Sequence, residues 1–141
     1  MGGHKQYQAG GGFNQYFYHQ VGEIISANGL SAKIVERLDP TDNSQGLPAF
    51  SNTSELYFGK GKKSGEVIQL RLYNNRKAFM DFDWGHPHGN IPIGKVHVHF
   101  YTVNAEGKLK KIKGADRLMN NAEIKKYGPL IKMANPNAKF R

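Results

Sequence analysis

Residues 81 to 101, DFDWGHPHGNIPIGKVHVHFY, hold four of the chain's six histidines and its only tryptophan. His86 and His88 lie in a Gly/Pro-rich run, while His97 and His99 alternate with Val96, Val98 and Phe100. Two imidazoles at i and i+2 of a strand point the same way, their Cβ atoms roughly 6–7 Å apart. Asp81 and Asp83 stand just upstream. Imidazoles ordinarily titrate near neutrality, so one can take a proton while another gives one.

Two chemistries suit this set. In the first, RNA is cleaved without a metal. One imidazole removes the proton of a ribose 2′-oxygen and a second protonates the leaving 5′-oxygen. A cation such as Arg71 or Lys95 stabilises the charge on phosphorus, and Asp81 or Asp83 orients an imidazole. In the second, the histidines and an aspartate ligate a first-row metal. No spacing here matches a zinc signature, and twenty Lys and Arg against eleven Asp and Glu, formally +9, attract phosphate unaided. Metal-free cleavage is therefore placed first, with no cofactor. The candidate catalytic residues are His86, His88, His97, His99, Asp83, Arg71 and Tyr101. The candidate RNA contacts are Lys60, Lys62, Lys63, Lys95, Lys108 and Lys110. The rival readings are a metal-dependent nuclease, a module that binds nucleic acid or protein without catalysis, and a structural protein of a phage or mobile element.

Strand alternation positions these groups. In EVIQLRLY, Ile68, Leu70 and Leu72 alternate with Gln69, Arg71 and Tyr73, and in KAFMDFDW, Ala78, Met80, Phe82 and Trp84 alternate with Phe79, Asp81 and Asp83. A hairpin with a three-residue loop at 74–76 pairs 72 with 78, 70 with 80 and 68 with 82, so apolar meets apolar. A slip of one residue flips every side chain to the other face. A third strand, KVHVHFYTV, packed beside the hairpin gathers Gln69, Arg71, Asp81, Asp83, His97, His99 and Tyr101 on one surface. AEGK turns from it into LKKIKG.

Elsewhere the signals are weaker. MGGHKQYQAGGG, residues 1–12, reads as a flexible lead-in. Phe13, Phe17, Val21, Ile24 and Asn28 recur at helical spacing before Asn28-Gly29, which predicts an amphipathic helix over 13–28. SAKIVERL fits a strand or a short helix, residues 39–54 a loop, ELYFGK a strand and GKGKKSG a basic turn. NNAEIKKYG opens a helix that Gly128-Pro129 should stop. The expectation is an α+β domain over 13–134, an N-terminal helix packed on a twisted antiparallel sheet of about four strands with a short C-terminal helix, and a frayed tail over 135–141.

The 141 residues allow one core of modest size. There is no cysteine, which excludes disulfides, thiolate-bound zinc and a cysteine nucleophile. No run is long enough to span a bilayer, and the Gly-rich start lacks the apolar segment of a signal peptide. Export is therefore expected from a system outside this sequence, into a target-cell cytoplasm; without one, the location is cytoplasmic.

The stretch RLYNNRKAFMDFDWGHPHGNIPIGKVHVHFYTVNAEGKLKK resembles the C-terminal toxin domains of bacterial polymorphic and contact-dependent systems. In these, a strand ending in Asp-x-Asp precedes a His/Pro/Gly segment and a His-x-His strand. The likeness covers about residues 66–113. Many such domains are ribonucleases, some with a barnase/EndoU-like helix-on-sheet layout. Asp83 and His86 also match the Asp-x-x-His of ribosome-cleaving colicin domains, although Asn90 stands where their glutamate falls and His88 is the substitute at hand. The resemblance implies cleavage of a cellular RNA and an acidic immunity protein as partner.

Overall fold

In the computed structural model, the described residues are 6–9, 16–37, 47–51, 56–61, 64–105 and 108–141. They form ten strands and one helix: β1 (Gln6–Ala9), β2 (Tyr16–Gln20), β3 (Ile25–Ala27), β4 (Leu30–Arg37), β5 (Leu56–Lys60), β6 (Val67–Asn74), β7 (Lys77–Asp83), β8 (His97–Val103), β9 (Leu109–Lys111), β10 (Arg117–Leu118) and α1 (Asn121–Ala134). The strands join in one mixed sheet of order β1-β2-β4-β5-β6-β7-β8-β10, with β3 on β4 and β9 on β8. Every pairing is antiparallel except β4 with β5. No helix among the described residues is long and apolar enough to cross a membrane.

The expected helix over 13–28 packed on about four antiparallel strands is overturned, because β2 and β3 occupy its described part. Asn28 and Gly29 do not end a helix. With φ of 56° and 78° they make the two-residue turn between β3 and β4, and Asn-Gly accepts that left-handed pair more readily than other dipeptides. The described part of SAKIVERL, residues 31–37, belongs to strand β4. Of residues 1–12, expected as a flexible lead-in, 6–9 instead form β1, paired with β2, and the others lie outside the described residues.

The β6–β7 hairpin forms with a different register. Its turn has two residues, Asn75 and Arg76, with φ of 50° and 66°. The ladder runs Asn74↔Lys77 and Tyr73↔Ala78, then shifts to Leu72↔Met80 and Leu70↔Phe82. The extra residue in β7 is a bulge, which restores apolar-to-apolar pairing that a bare two-residue turn would break. The parity requirement holds, but the bulge meets it in place of a third loop residue.

One face of the sheet carries the main core. Leu56, Phe58, Leu70, Leu72, Phe82, Val96 and Val98 pack with Met119, Leu130, Ile131 and Ala138. Helix α1 starts at a capping box: the Asn120 side chain accepts from the Glu123 N–H at 2.8 Å, and Glu123 Oε1 accepts from the Asn120 N–H at 2.9 Å. The helix does not stop at Gly128-Pro129 but runs to Ala134. Proline removes the N–H that would reach Lys125. Asn28 Nδ2 supplies a donor there, at 3.1 Å from the carbonyl oxygens of both Lys125 and Lys126.

The last seven residues, expected to fray, are pinned. Ala138 is buried, the Val96 N–H donates to Lys139 O at 2.7 Å, and the Lys139 N–H donates to Gly94 O at 2.9 Å. On the opposite face a second cluster of Tyr18, Val35, Leu47, Tyr57, Tyr73 and Ala78 is buried. Segment 47–51 lies along it, bridging Phe50 to Lys77.

Candidate functional site

Registers place the ionisable groups in two rows across the sheet. Tyr57, Arg71, Asp81 and His99 are successive cross-strand partners, as are Gly59, Gln69, Asp83 and His97. Alternation therefore does bring the expected groups to one face. That face is largely closed to solvent: Arg71, Asp81, Asp83, His97 and His99 are all buried.

The connection from β7 to β8 folds back over this face. Trp84 anchors it, donating from Nε1 to Val67 O at 3.0 Å, and the Trp84 carbonyl accepts from Gly94 N at 2.9 Å. Inside it, His88 and Ile91 exchange both backbone hydrogen bonds at 2.8 Å around Gly89-Asn90. Gly85 allows the chain to leave β7, since a Cβ there would meet Ile68 Cδ1 at 2.5 Å. The result is four imidazoles together. His97 and His99 are perpendicular with ring centroids 4.7 Å apart. His86 sits edge-on to His97 at 5.0 Å and His88 stacks on it at 5.2 Å. Both also approach His99, at 6.0 and 5.4 Å.

Two carboxylates brace the cluster. Asp83 Oδ1 accepts from the Gly85 N–H at 3.0 Å and lies 3.3 Å from His86 Nδ1. Burial holds the Asp83 carboxyl above its ordinary range, opposed by the Gly85 N–H and His86. Asp116 is the second, and the sequence reading missed it. Its Oδ2 lies 2.8 Å from His88 Nε2 and 2.9 Å from Lys111 Nζ. Its Oδ1 lies 3.1 Å from His99 Nδ1, though poorly aligned for a hydrogen bond. Burial pushes the Asp116 carboxyl up, but Lys111 and His99 outweigh it and hold it below the usual value. Pairing of β10 with β8 at Arg117↔Val98 sets Asp116 beside His99. The one signal in the sequence was a lone acid within the basic run LKKIKGADR.

His97 is the anomaly. It is fully buried, and neither ring nitrogen has a well-formed hydrogen bond. Its pKa falls to about 4, mainly through burial and secondarily through His99, with the Lys95 backbone offsetting part of the loss. His86 and His88 form the open side, with side chains 51% and 37% exposed.

The other candidates divide. Arg71 cannot serve a phosphate: its Nε and Nη2 donate to Asp81 at 2.6 and 2.8 Å, its Nη1 donates to Leu47 O at 2.7 Å, and it is buried. Burial alone disfavours its charge, and Asp81 more than restores it. Asp81 also accepts from Gln69 Nε2 at 2.6 Å, so it orients no histidine by a hydrogen bond of its own. Tyr101 lies under the Arg71 guanidinium at 5.0 Å and 6.5 Å from His99; burial and Asp81 raise its phenol, keeping it neutral. Among the lysines, Lys62 and Lys63 lie outside the described residues. Lys95 is half-buried and bridged to Lys139, and Lys60 is half-buried at the end of β5. Lys108 is exposed. Lys110 pairs with Thr102, which places it on the face away from the histidines, whereas Lys111 pairs with Tyr101 on their side. Among the described lysines, Lys111 is thus one that reaches the cluster, through Asp116. No family model, curated protein or solved structure matches the chain, so the site's chemistry rests on its own geometry.

Proposed function

We propose that the protein is a ribonuclease whose catalytic centre is the four-histidine cluster. The observation that carries this reading is the open side of the cluster: two exposed imidazoles, each backed by a carboxylate, on a chain of net charge +9. His88, held by Asp116, accepts the proton of a ribose 2′-hydroxyl, and the 2′-oxygen attacks phosphorus. The P–O5′ bond breaks, and His86, beside Asp83, gives its proton to the departing oxygen. The products are a 2′,3′-cyclic phosphate and a free 5′-hydroxyl. Lys111, whose Nζ lies 2.9 Å from Asp116, takes the cationic role in place of Arg71. The likeness of residues 66–113 to bacterial toxin domains supports a delivered toxin held in check by an acidic immunity protein.

The test is incubation of the purified chain with RNA in EDTA, with product ends identified by mass. Cleavage should give cyclic phosphate ends, and His88→Gln should slow it at least about a hundredfold. Absence of cleavage with or without divalent metal refutes the reading. Salt-sensitive RNA binding in that case identifies a non-catalytic module.

A further inference from the structure

We infer that His86, His97 and His99 form a binding site for one divalent transition metal ion of the zinc class. The three residues each offer a ligand atom, and these atoms lie within 4.8 Å of one another. Nitrogens bound to one tetrahedral ion at about 2.0–2.1 Å sit about 3.3–3.4 Å apart, so the rings must draw in by at most about 1.5 Å. His86 can make that move, because it stands on a connection and is half exposed.

The second observation is independent of proximity. His97 is fully buried and neither of its ring nitrogens has a well-formed hydrogen bond, whereas a buried polar atom ordinarily finds a partner. A metal ion is the partner that a neutral imidazole facing two others can take. The surroundings fit as well. Asp116 approaches Nδ1 of His99 and Asp83 approaches Nδ1 of His86, leaving Nε2 of each as the ligand atom. A carboxylate on the far nitrogen is the usual brace of a metal-binding histidine. Three imidazoles and no thiolate select zinc, cobalt, nickel or copper over magnesium or calcium, which require oxygen ligands. Three protein ligands also leave a position open on the His86 side. His88 is engaged by Asp116 and stays outside the ligand set.

The inference goes beyond the ribonuclease reading. A bound ion takes His86 out of proton transfer, so metal-bound and metal-free forms are distinct chemical states. The readout is therefore binding, and the presence or absence of RNA cleavage does not alter it. An untagged chain stripped with chelator is titrated with Zn(II) by calorimetry, and with Co(II) by visible absorption. The expected result is one ion per chain at micromolar affinity or tighter, tetrahedral Co(II) bands, and no response to millimolar Mg(II). His86→Ala, a change at an exposed side chain, should weaken binding at least about tenfold, and Asp116→Asn about 10–100-fold. His97→Gln should abolish the Co(II) bands, with its fold checked by circular dichroism. No binding tighter than about 100 μM, or binding unchanged in both His86→Ala and Asp116→Asn, overturns the assignment.

Discussion

Asp81→Asn should destabilise the protein far more than an amide-for-acid exchange suggests. Asp81 is fully buried and Arg71 nearly so, joined by two hydrogen bonds of 2.6 and 2.8 Å. The substitution keeps the shape but leaves the guanidinium charged, without a counter-charge, and faced by an NH2 group. Removing one member of such a pair costs about 3–5 kcal/mol. That is a large share of a total stability of about 5–15 kcal/mol. At this chain length, about 3–4 °C per kcal/mol gives a fall in Tm of about 10–20 °C. Urea unfolding can follow Trp84, the only tryptophan, which is buried at the head of the histidine connection. The double variant Arg71→Met/Asp81→Leu, with no charge left behind, should recover most of the loss. Destabilisation by Asp81→Asn of less than about 1 kcal/mol would show that Arg71 reaches water and an anion, and the scaffold role assigned to it here would be wrong.

Two further outcomes are expected. Burial pushes the Glu123 carboxyl up, but Arg117 and the Asn120 N–H outweigh it and hold it below its ordinary 4.5. Its contribution is present above that value and is lost as pH falls through the depressed one. Glu123→Gln should therefore cost about 1–2 kcal/mol at pH 7, and thermal melts of variant and parent should converge as pH falls through the depressed pKa. Gly85→Ala drives a methyl into Ile68 Cδ1 at 2.5 Å and Cβ at 2.8 Å. It should cost about 1–3 kcal/mol and shift the His86 and His88 ring resonances; a loss below about 0.5 kcal/mol with unmoved rings contradicts the packing described.

The histidine cluster was legible because alternation is a local property. HVHFY fixes which side chains share a face without knowledge of the neighbouring strand, and the apolar residues of β6 and β7 fixed which strand that was. What alternation did not reveal was whether the face met water. Arg71 looked available because its cover, Leu47 and Pro48, lies in a loop with no periodic signal, and its carbonyls reach the guanidinium only in the folded chain. Asp116 escaped for a similar reason, since the two-residue strand β10 is defined by its pairing with β8 rather than by its own composition. The N-terminal misreading has a different origin. Phe13, Phe17, Val21 and Ile24 satisfy a helical repeat by coincidence, while Asn28-Gly29 suits a helix end as well as the hairpin turn it makes here.

Backbone bonds from Lys139 hold the chain at Gly94 and Val96, one residue before His97. Lys139 is translated after every histidine, acid and lysine of the cluster. The strand that aims His97 and His99 therefore gains its last backbone partners only from a residue made after every member of the cluster. The spacing of the imidazoles is thus set from a distant part of the chain as well as from the strands that carry them.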